Sequence, residues 1–234
     1  MLTFLRTILD LLYPPFCLGC GTRIRAGDTL CPSCLLDLQP YPLTEEHSAR
    51  QLGSLHVVCD ATLMAVGYEY EEDGVLEHCI RAMKYRQLHE VGAWLGRVLA
   101  ERLHGTPILE GNPLLLPVPL HGVKRLERGY NQAEMLCRGI AEEAALELDT
   151  KLLYRARYTR SQSASKLDRD ARQTNILNAF EVRGDMMEAN RDRPLLLVDD
   201  LITTGATMAE CVRVLQEHGA RDVRLLALAR PPRH

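Results

Sequence analysis

The chain has 234 residues, 46% of them hydrophobic and 25% charged, with 16 glycines and 12 prolines; that is a globular composition, which excludes disorder, collagen-like repeats and a coiled coil. A net charge of −3 excludes a surface built throughout for polyanions, and 5% aromatics leave little for a base-stacking platform. A chain this long buries a core without covalent staples, so its eight cysteines need another explanation.

Residues 1–12 place Leu5, Ile8, Leu9 and Leu12 on one helical face, with Arg6 and Asp10 interrupting the run. The segment is too short to span a bilayer and lacks the uncharged core of a signal peptide, so a short amphipathic helix docked on the body is expected. No other run approaches membrane length. The protein is therefore read as cytoplasmic, where thiols stay reduced and clustered cysteines point to metal or catalysis before disulfides.

Four cysteines follow in two C-x-x-C pairs, Cys17 with Cys20 and Cys31 with Cys34. A turn of that length aims two thiolates at one cation, and two such turns complete the tetrahedral set of a closed structural Zn²⁺ site. Gly21 and Gly27-Asp28 fit a small hairpin with residues 22–25 and 29–30 as its strands, which makes a zinc ribbon. A redox C-x-x-C competes with this reading, but two pairs lie close together and no helix is expected after either. Cys59, Cys79, Cys137 and Cys211 stand singly among apolar residues and are expected as core thiols.

Residues 1–38 thus form a helix and ribbon, polar residues 39–58 read as a linker, and 59–234 read as one further domain. In the last unit, strand-like patterns at 61–70, 114–118, 151–154, 179–182, 195–198 and 223–229 alternate with helical spacing at 75–86, 91–103, 132–146 and 208–218. Such alternation predicts an α/β fold with a mostly parallel sheet and helices on both faces.

The most informative string is Leu195-Leu-Leu-Val-Asp-Asp-Leu-Ile-Thr-Thr-Gly-Ala-Thr207. An apolar strand ends in adjacent carboxylates, Asp199 and Asp200, at the place where open α/β sheets bind ligands. Residues Thr203, Thr204, Gly205, Ala206 and Thr207 then open a helix and can wrap N–H groups and hydroxyls around a phosphate. Acidic groups beside an anion cradle suit a ribose 5-phosphate, whose hydroxyls take the carboxylates while the turn takes the phosphate. Neither a Walker A loop nor a G-x-G-x-x-G fingerprint is present. A second constellation, Lys124, Arg125 and Arg128, lies in an expected loop between strand and helix and offers donors for a pyrophosphate. Lys84 and Tyr85, ending a helix, are assigned to the same pocket, and residues 155–172, with six basic residues against two acidic, fit a flap over the ligand.

All thirteen positions of 195–207 resemble the 5-phosphoribosyl 1-pyrophosphate (PRPP) signature of type I phosphoribosyltransferases. With the cysteine quartet, the V-P-L…K-R…R-G-Y-N-Q stretch from Val118 to Gln132, and the R-x-R-x-T-x-x-Q…N…A-F stretch ending at Phe180, nearly the whole chain is similar to the ComF family of competence-associated and GntX-type proteins. That resemblance implies a type I phosphoribosyltransferase fold, PRPP with Mg²⁺ as ligand, and an unidentified nitrogen nucleophile as acceptor. For its competence members it also implies a part in DNA uptake. Asp199 and Asp200 would then serve catalysis at the ribose, residues 203–207 the 5′-phosphate, and Lys124, Arg125 and Arg128 the leaving pyrophosphate. The alternative from another class is a non-catalytic DNA-uptake factor that binds single-stranded DNA through ribbon residues Arg23 and Arg25 and the basic segments.

Overall fold

A computed structural model describes residues 15–55, 57–85, 88–120, 122–156 and 178–232, with the side chains of 122–124 left undescribed. The expected helix at 1–12 and most of the expected flap at 155–172 lie outside the described residues.

The helices are α1 (Pro32–Leu36), α2 (Glu45–Leu52), α3 (Val75–Tyr85), α4 (His89–Leu103), α5 (Gly122–Arg128), α6 (Gln132–Ala144), α7 (Gly184–Ala189) and α8 (Ala206–Glu217). The strands are β1 (Leu63–Glu69), β2 (Leu114–Pro117), β3 (Leu153–Arg155), β4 (Phe180–Val182), β5 (Leu195–Leu201) and β6 (Val223–Arg230). Four strands form a sheet in the order β1-β6-β5-β2, and every pairing in it is parallel. β3 and β4 pair separately and antiparallel. Among the described residues no helix is long and apolar enough to cross a membrane.

Parallel strands covered on both faces must be apolar at successive positions, and β5 and β6 satisfy this. Alternation then divides them between two cores. Leu196 and Val198 of β5, with Leu115, Leu226 and Leu228, pack against α3, α4 and α6. Leu195 and Leu197, with Leu114, Leu116, Leu225 and Ala227, pack against α8, α7 and the β3-β4 pair. Helices therefore cover both faces, as the alternating pattern predicts. On the first face α4 and α6 touch backbone to backbone, because a Cβ on Gly139 would come within 1.9 Å of the Ala93 carbonyl oxygen.

Three segments differ from the sequence expectations. Residues 39–58, expected as a linker, contain α2, whose N-cap Thr44 accepts from the His47 N–H at 3.2 Å and whose first turn holds Glu45 and Glu46. Ser48 of α2 accepts from the Met64 N–H at 2.7 Å, and ahead of α2 the Tyr41 N–H reaches the Gly67 carbonyl at 3.0 Å. The segment thus covers the free edge of β1; its polar residues are the solvent side of a docked helix. Residues 122–128, expected as a loop, form α5, in keeping with the helix formers Lys, Arg, Leu and Glu in that stretch. The ribbon hairpin pairs Phe16 with Arg23 instead of 22–25 with 29–30, because the first cysteine turn folds the chain straight back, with the Cys17 N–H on the Thr22 carbonyl at 2.8 Å.

Candidate functional site

The crossovers define where a ligand can lie. The chain leaving β2 passes through α6 to one face, whereas the chain leaving β5 passes through α8 to the other. Adjacent parallel strands whose outgoing connections part to opposite faces leave a crevice at their carboxyl ends. β2 stops at Pro117, with the Val118 N–H still bonded to the Val198 carbonyl at 2.8 Å, while β5 continues through Asp199 and Asp200 to Leu201. Both carboxylates therefore stand at the carboxyl end of β5, beyond the end of β2, where that crevice opens.

Asp199 is half-buried, and its Oδ1 accepts from the Asp200 N–H at 2.9 Å. Burial, and after it the charge of Asp200, pushes the Asp199 carboxyl well above the usual carboxylate range; the Asp200 N–H and the Lys84 ammonium pull the other way without reversing it. Asp200 Oδ2 meets Lys84 Nζ at 2.7 Å, with both side chains under a fifth exposed, at 14% and 19% respectively. The acidic pair thus has a resident cation from α3.

The turn after β5 carries a left-handed glycine at the entrance of α8. Gly205 has φ +83°, a left-handed backbone that side chains rarely adopt, and it directly precedes the first residue of α8. The first N–H groups of this 12-residue helix have no partner within the helix, and the Ala206 N–H lies 3.4 Å from the Thr204 hydroxyl oxygen. Thr203 and Thr204 are exposed, Ala206 and Thr207 half-buried, and Gly205 buried. The cover over Gly205 is Leu55, whose Cδ2 would lie 2.7 Å from a Cβ built there. Arg230, at the carboxyl end of β6, holds this cover through Ser54 Oγ at 2.6 Å. Neither Leu55 nor Arg230 carries a local signal, since each acts through a contact made across the fold.

The basic constellation is only partly brought together. Arg128 donates to Gln132 Oε1 at 3.0 Å, and Arg125 pairs loosely with Glu134 at 3.6 Å while remaining mostly exposed. Lys124 lies on α5, its side chain outside the described residues. Lys84, assigned from sequence to the pyrophosphate pocket beside Tyr85, instead turns to Asp200, and Tyr85 is 75% exposed. Tyr130 donates to the Met83 carbonyl and so ties the entrance of α6 to the end of α3; its aromatic ring gives no hint of that tie in sequence.

The ribbon cysteines converge. Their four Sγ atoms lie within 4.8 Å of one another, and Cys20 and Cys31 are 3.7 Å apart, close to the ~3.8 Å that Zn–S bonds of about 2.3 Å impose in a tetrahedron. The Thr22 hydroxyl and N–H hold the Cys20 thiol down to about 6, while burial and then its cysteine neighbours push Cys34 up. Four thiols this close ionise together only around a cation. A helix does begin at the second pair, with Cys31 as N-cap of α1, so a missing helix does not separate zinc from redox chemistry; the fourfold cluster does. The ribbon packs on α3, since Cys17, Leu30, Cys34 and Leu38 share a core with Leu76 and Cys79. Cys79, Cys137 and Cys211 are buried as expected, whereas Cys59 is only half-buried.

Comparison with known proteins agrees with both units. The double zinc ribbon domain family matches residues 8–53. That stretch contains four cysteines and one histidine, His47, and among the described residues a single metal-type cluster exists; the ribbon therefore offers one tetrahedral thiolate set. The protein named DNA utilization protein YhgH in Shigella flexneri is 29% identical over 225 residues, covering 92% of this chain and 89% of that protein. Competence protein F of Haemophilus influenzae is 27% identical over 220 residues, covering 92% and 90%. Among solved structures, the allosteric regulatory enzyme of purine biosynthesis aligns with 59% of this chain and 25% of its own length, at 19% identity and a TM-score of 0.38. The phosphoribosyl transferase domain family matches residues 95–234, well over half of the sequence and the part that holds α6, β5, the acidic pair and the turn before α8: the chain belongs to that family.

Proposed function

We propose that this protein binds PRPP and transfers its phosphoribosyl group to a nitrogen nucleophile, releasing pyrophosphate, in a cytoplasmic role tied to DNA uptake or nucleotide salvage. The observation that carries the reading is the crevice between β2 and β5, where an acidic pair and a left-handed glycine turn at a helix N-terminus lie side by side. A ribose 5-phosphate needs both, hydroxyl acceptors at one end and a phosphate cradle at the other.

In this reading the N–H groups and hydroxyls of 203–207 hold the 5′-phosphate, as helix N-termini hold anions generally. Asp199 and Asp200 accept from the ribose 2′ and 3′ hydroxyls. Lys124, Arg125 and Arg128 on α5 receive the pyrophosphate, with arginine forks matched to phosphate oxygens. One or two carboxylates plus substrate phosphates are the donor set that Mg²⁺ favours, so Asp199 or Asp200 together with PRPP oxygens would hold it, and it would supply charge neutralisation for the leaving pyrophosphate. The C1–O bond to pyrophosphate breaks with its electron pair on the leaving group. The nitrogen lone pair forms the new C1–N bond, and the nitrogen loses a proton to solvent. Positive charge develops on the ribose ring in the transition state, so the acidic pair contributes by position and field.

A second reading is favoured by two observations: the nearly full-length similarity to proteins named for competence and DNA utilization, and the exposure of Arg23 and Arg25 on the ribbon. Here the chain binds single-stranded DNA without turnover, and its affinity falls steeply with salt. Pyrophosphate release from PRPP across a panel of nucleobases, beside a salt-series titration of single-stranded DNA, separates the two. Turnover with any acceptor supports the transferase. DNA binding lost in the Arg23→Ala, Arg25→Ala double variant, with no pyrophosphate release, supports the second reading.

A further inference from the structure

α3 is an amphipathic helix whose buried residues Leu76, Cys79, Ile80, Ala82 and Met83 fix its rotation against the sheet. One end is seated by the ribbon: a Cβ on Gly19 would lie 2.8 Å from Cys34 Sγ and 3.2 Å from Val75 Cγ1. The other end is seated by Tyr130, whose hydroxyl donates to the Met83 carbonyl at 2.5 Å. A lysine in the last turn of a helix ordinarily extends to water and complements the helix dipole. Lys84 instead folds inward to Asp200 Oδ2 at 2.7 Å, largely out of solvent. Immobilising so long a side chain costs conformational entropy, and in return Asp200 keeps a cation beside it, whereas among the described residues no ion pair reaches the neighbouring Asp199.

Resting on the PRPP reading, we propose that Lys84 is a positioning residue of that site. It is the built-in counter-cation of the acidic pair, which holds Asp200 toward the crevice and keeps free divalent metal from settling on the two carboxylates before substrate arrives. Two carboxylates side by side attract a divalent ion strongly. With Lys84 paired, one negative charge of the pair is cancelled, so metal is retained well only when pyrophosphate oxygens come with it. Lys84 touches neither the reacting carbon nor the leaving group in this role.

The test uses full-length, zinc-loaded protein and Mn²⁺ without PRPP, with free Mn²⁺ read by electron paramagnetic resonance. Lys84→Met is expected to tighten Mn²⁺ binding roughly tenfold, Lys84→Arg to stay near wild type, and Asp200→Asn added to Lys84→Met to abolish the gain. Damage to the fold can weaken metal binding but cannot tighten it in an Asp200-dependent way. Equal or weaker Mn²⁺ affinity in Lys84→Met, or a gain that survives Asp200→Asn, overturns the assignment. PRPP titration of the wild type is read separately: no PRPP binding together with the Mn²⁺ gain removes the PRPP reading and leaves the ion pair standing, whereas PRPP binding without the gain removes only the role of Lys84.

Discussion

Tyr130 and Met83 are joined by a hydrogen bond of 2.5 Å from the phenol to a helix-end carbonyl, so the loop leaving β2 holds the end of the helix that delivers Lys84 to Asp200. Burial pushes the Tyr130 phenol up to about 12, and it remains a donor throughout the neutral range. Tyr130→Phe is expected to cost about 0.5–1.5 kcal/mol of stability, the usual net value of one such bond, and to weaken PRPP binding severalfold by loosening α3. Urea denaturation and ligand titration of the same variant check both; an affinity loss without any stability loss would point to direct substrate contact instead.

Gly205 tolerates little change. A side chain there forces a left-handed backbone, at roughly 1–2 kcal/mol, and its Cβ enters the space of Leu55 at 2.7 Å. Gly205→Ala should therefore lower the melting temperature and abolish phosphate binding, whereas Leu55→Ala should make Gly205→Ala less damaging. A thermal-melt comparison of the two single variants and the double reads this directly: additive losses contradict the contact.

Asp199 makes a pH prediction whose sign is opposite to that of an ordinary salt-bridged carboxylate. Its proton is held more tightly in the fold than in the unfolded chain, where a carboxyl titrates near about 3.9. Below that pH both states carry the proton; as pH rises toward the folded value, the unfolded state ionises freely while the buried site resists, so stability is lost. Asp199→Asn should thus be more stable than wild type at neutral pH, with the gap closing toward pH ~4. Denaturation series across that range check it, and a wild type more stable at neutral pH contradicts it.

Much of this arrangement is legible in the sequence because it is local. The run Leu195–Val198 announces a doubly covered strand, Asp199 and Asp200 mark its carboxyl end, and Gly205 marks the turn. Cys17, Cys20, Cys31 and Cys34 announce their own convergence through spacing. What escapes is long-range. Composition makes 39–58 look like a linker because the docked face of α2 presents Ser48 and Gln51, both buried polar residues, to the body. The close contact of α4 with α6 depends on Gly96 and Gly139, which in sequence look like poor helix residues. The partner of Lys84 is set by how α3 crosses the sheet, and no spacing rule encodes it.

Metal content tests the ribbon. One tightly held zinc per chain is expected, from the single quartet. Structural sites of this type contribute on the order of 10–16 kcal/mol of apparent binding energy, so a strong chelator should lower the melting temperature and open residues 15–38 to protease. Because Cys17 and Cys34 share a core with Leu76 and Cys79 of α3, the same treatment should also weaken PRPP binding. Zinc-free protein that melts and resists protease as the loaded protein does would contradict a structural role.

The central claim is that the crevice between β2 and β5 is a PRPP site, and calorimetric titration of Mg²⁺·PRPP into the full-length protein tests it most directly. Saturable binding at one site per chain is expected in the wild type, lost by at least about tenfold, or ~1.4 kcal/mol, when Asp199 and Asp200 are both replaced by Asn in a variant that still melts cooperatively. No binding by the wild type, or affinity unchanged in that folded variant, would contradict it.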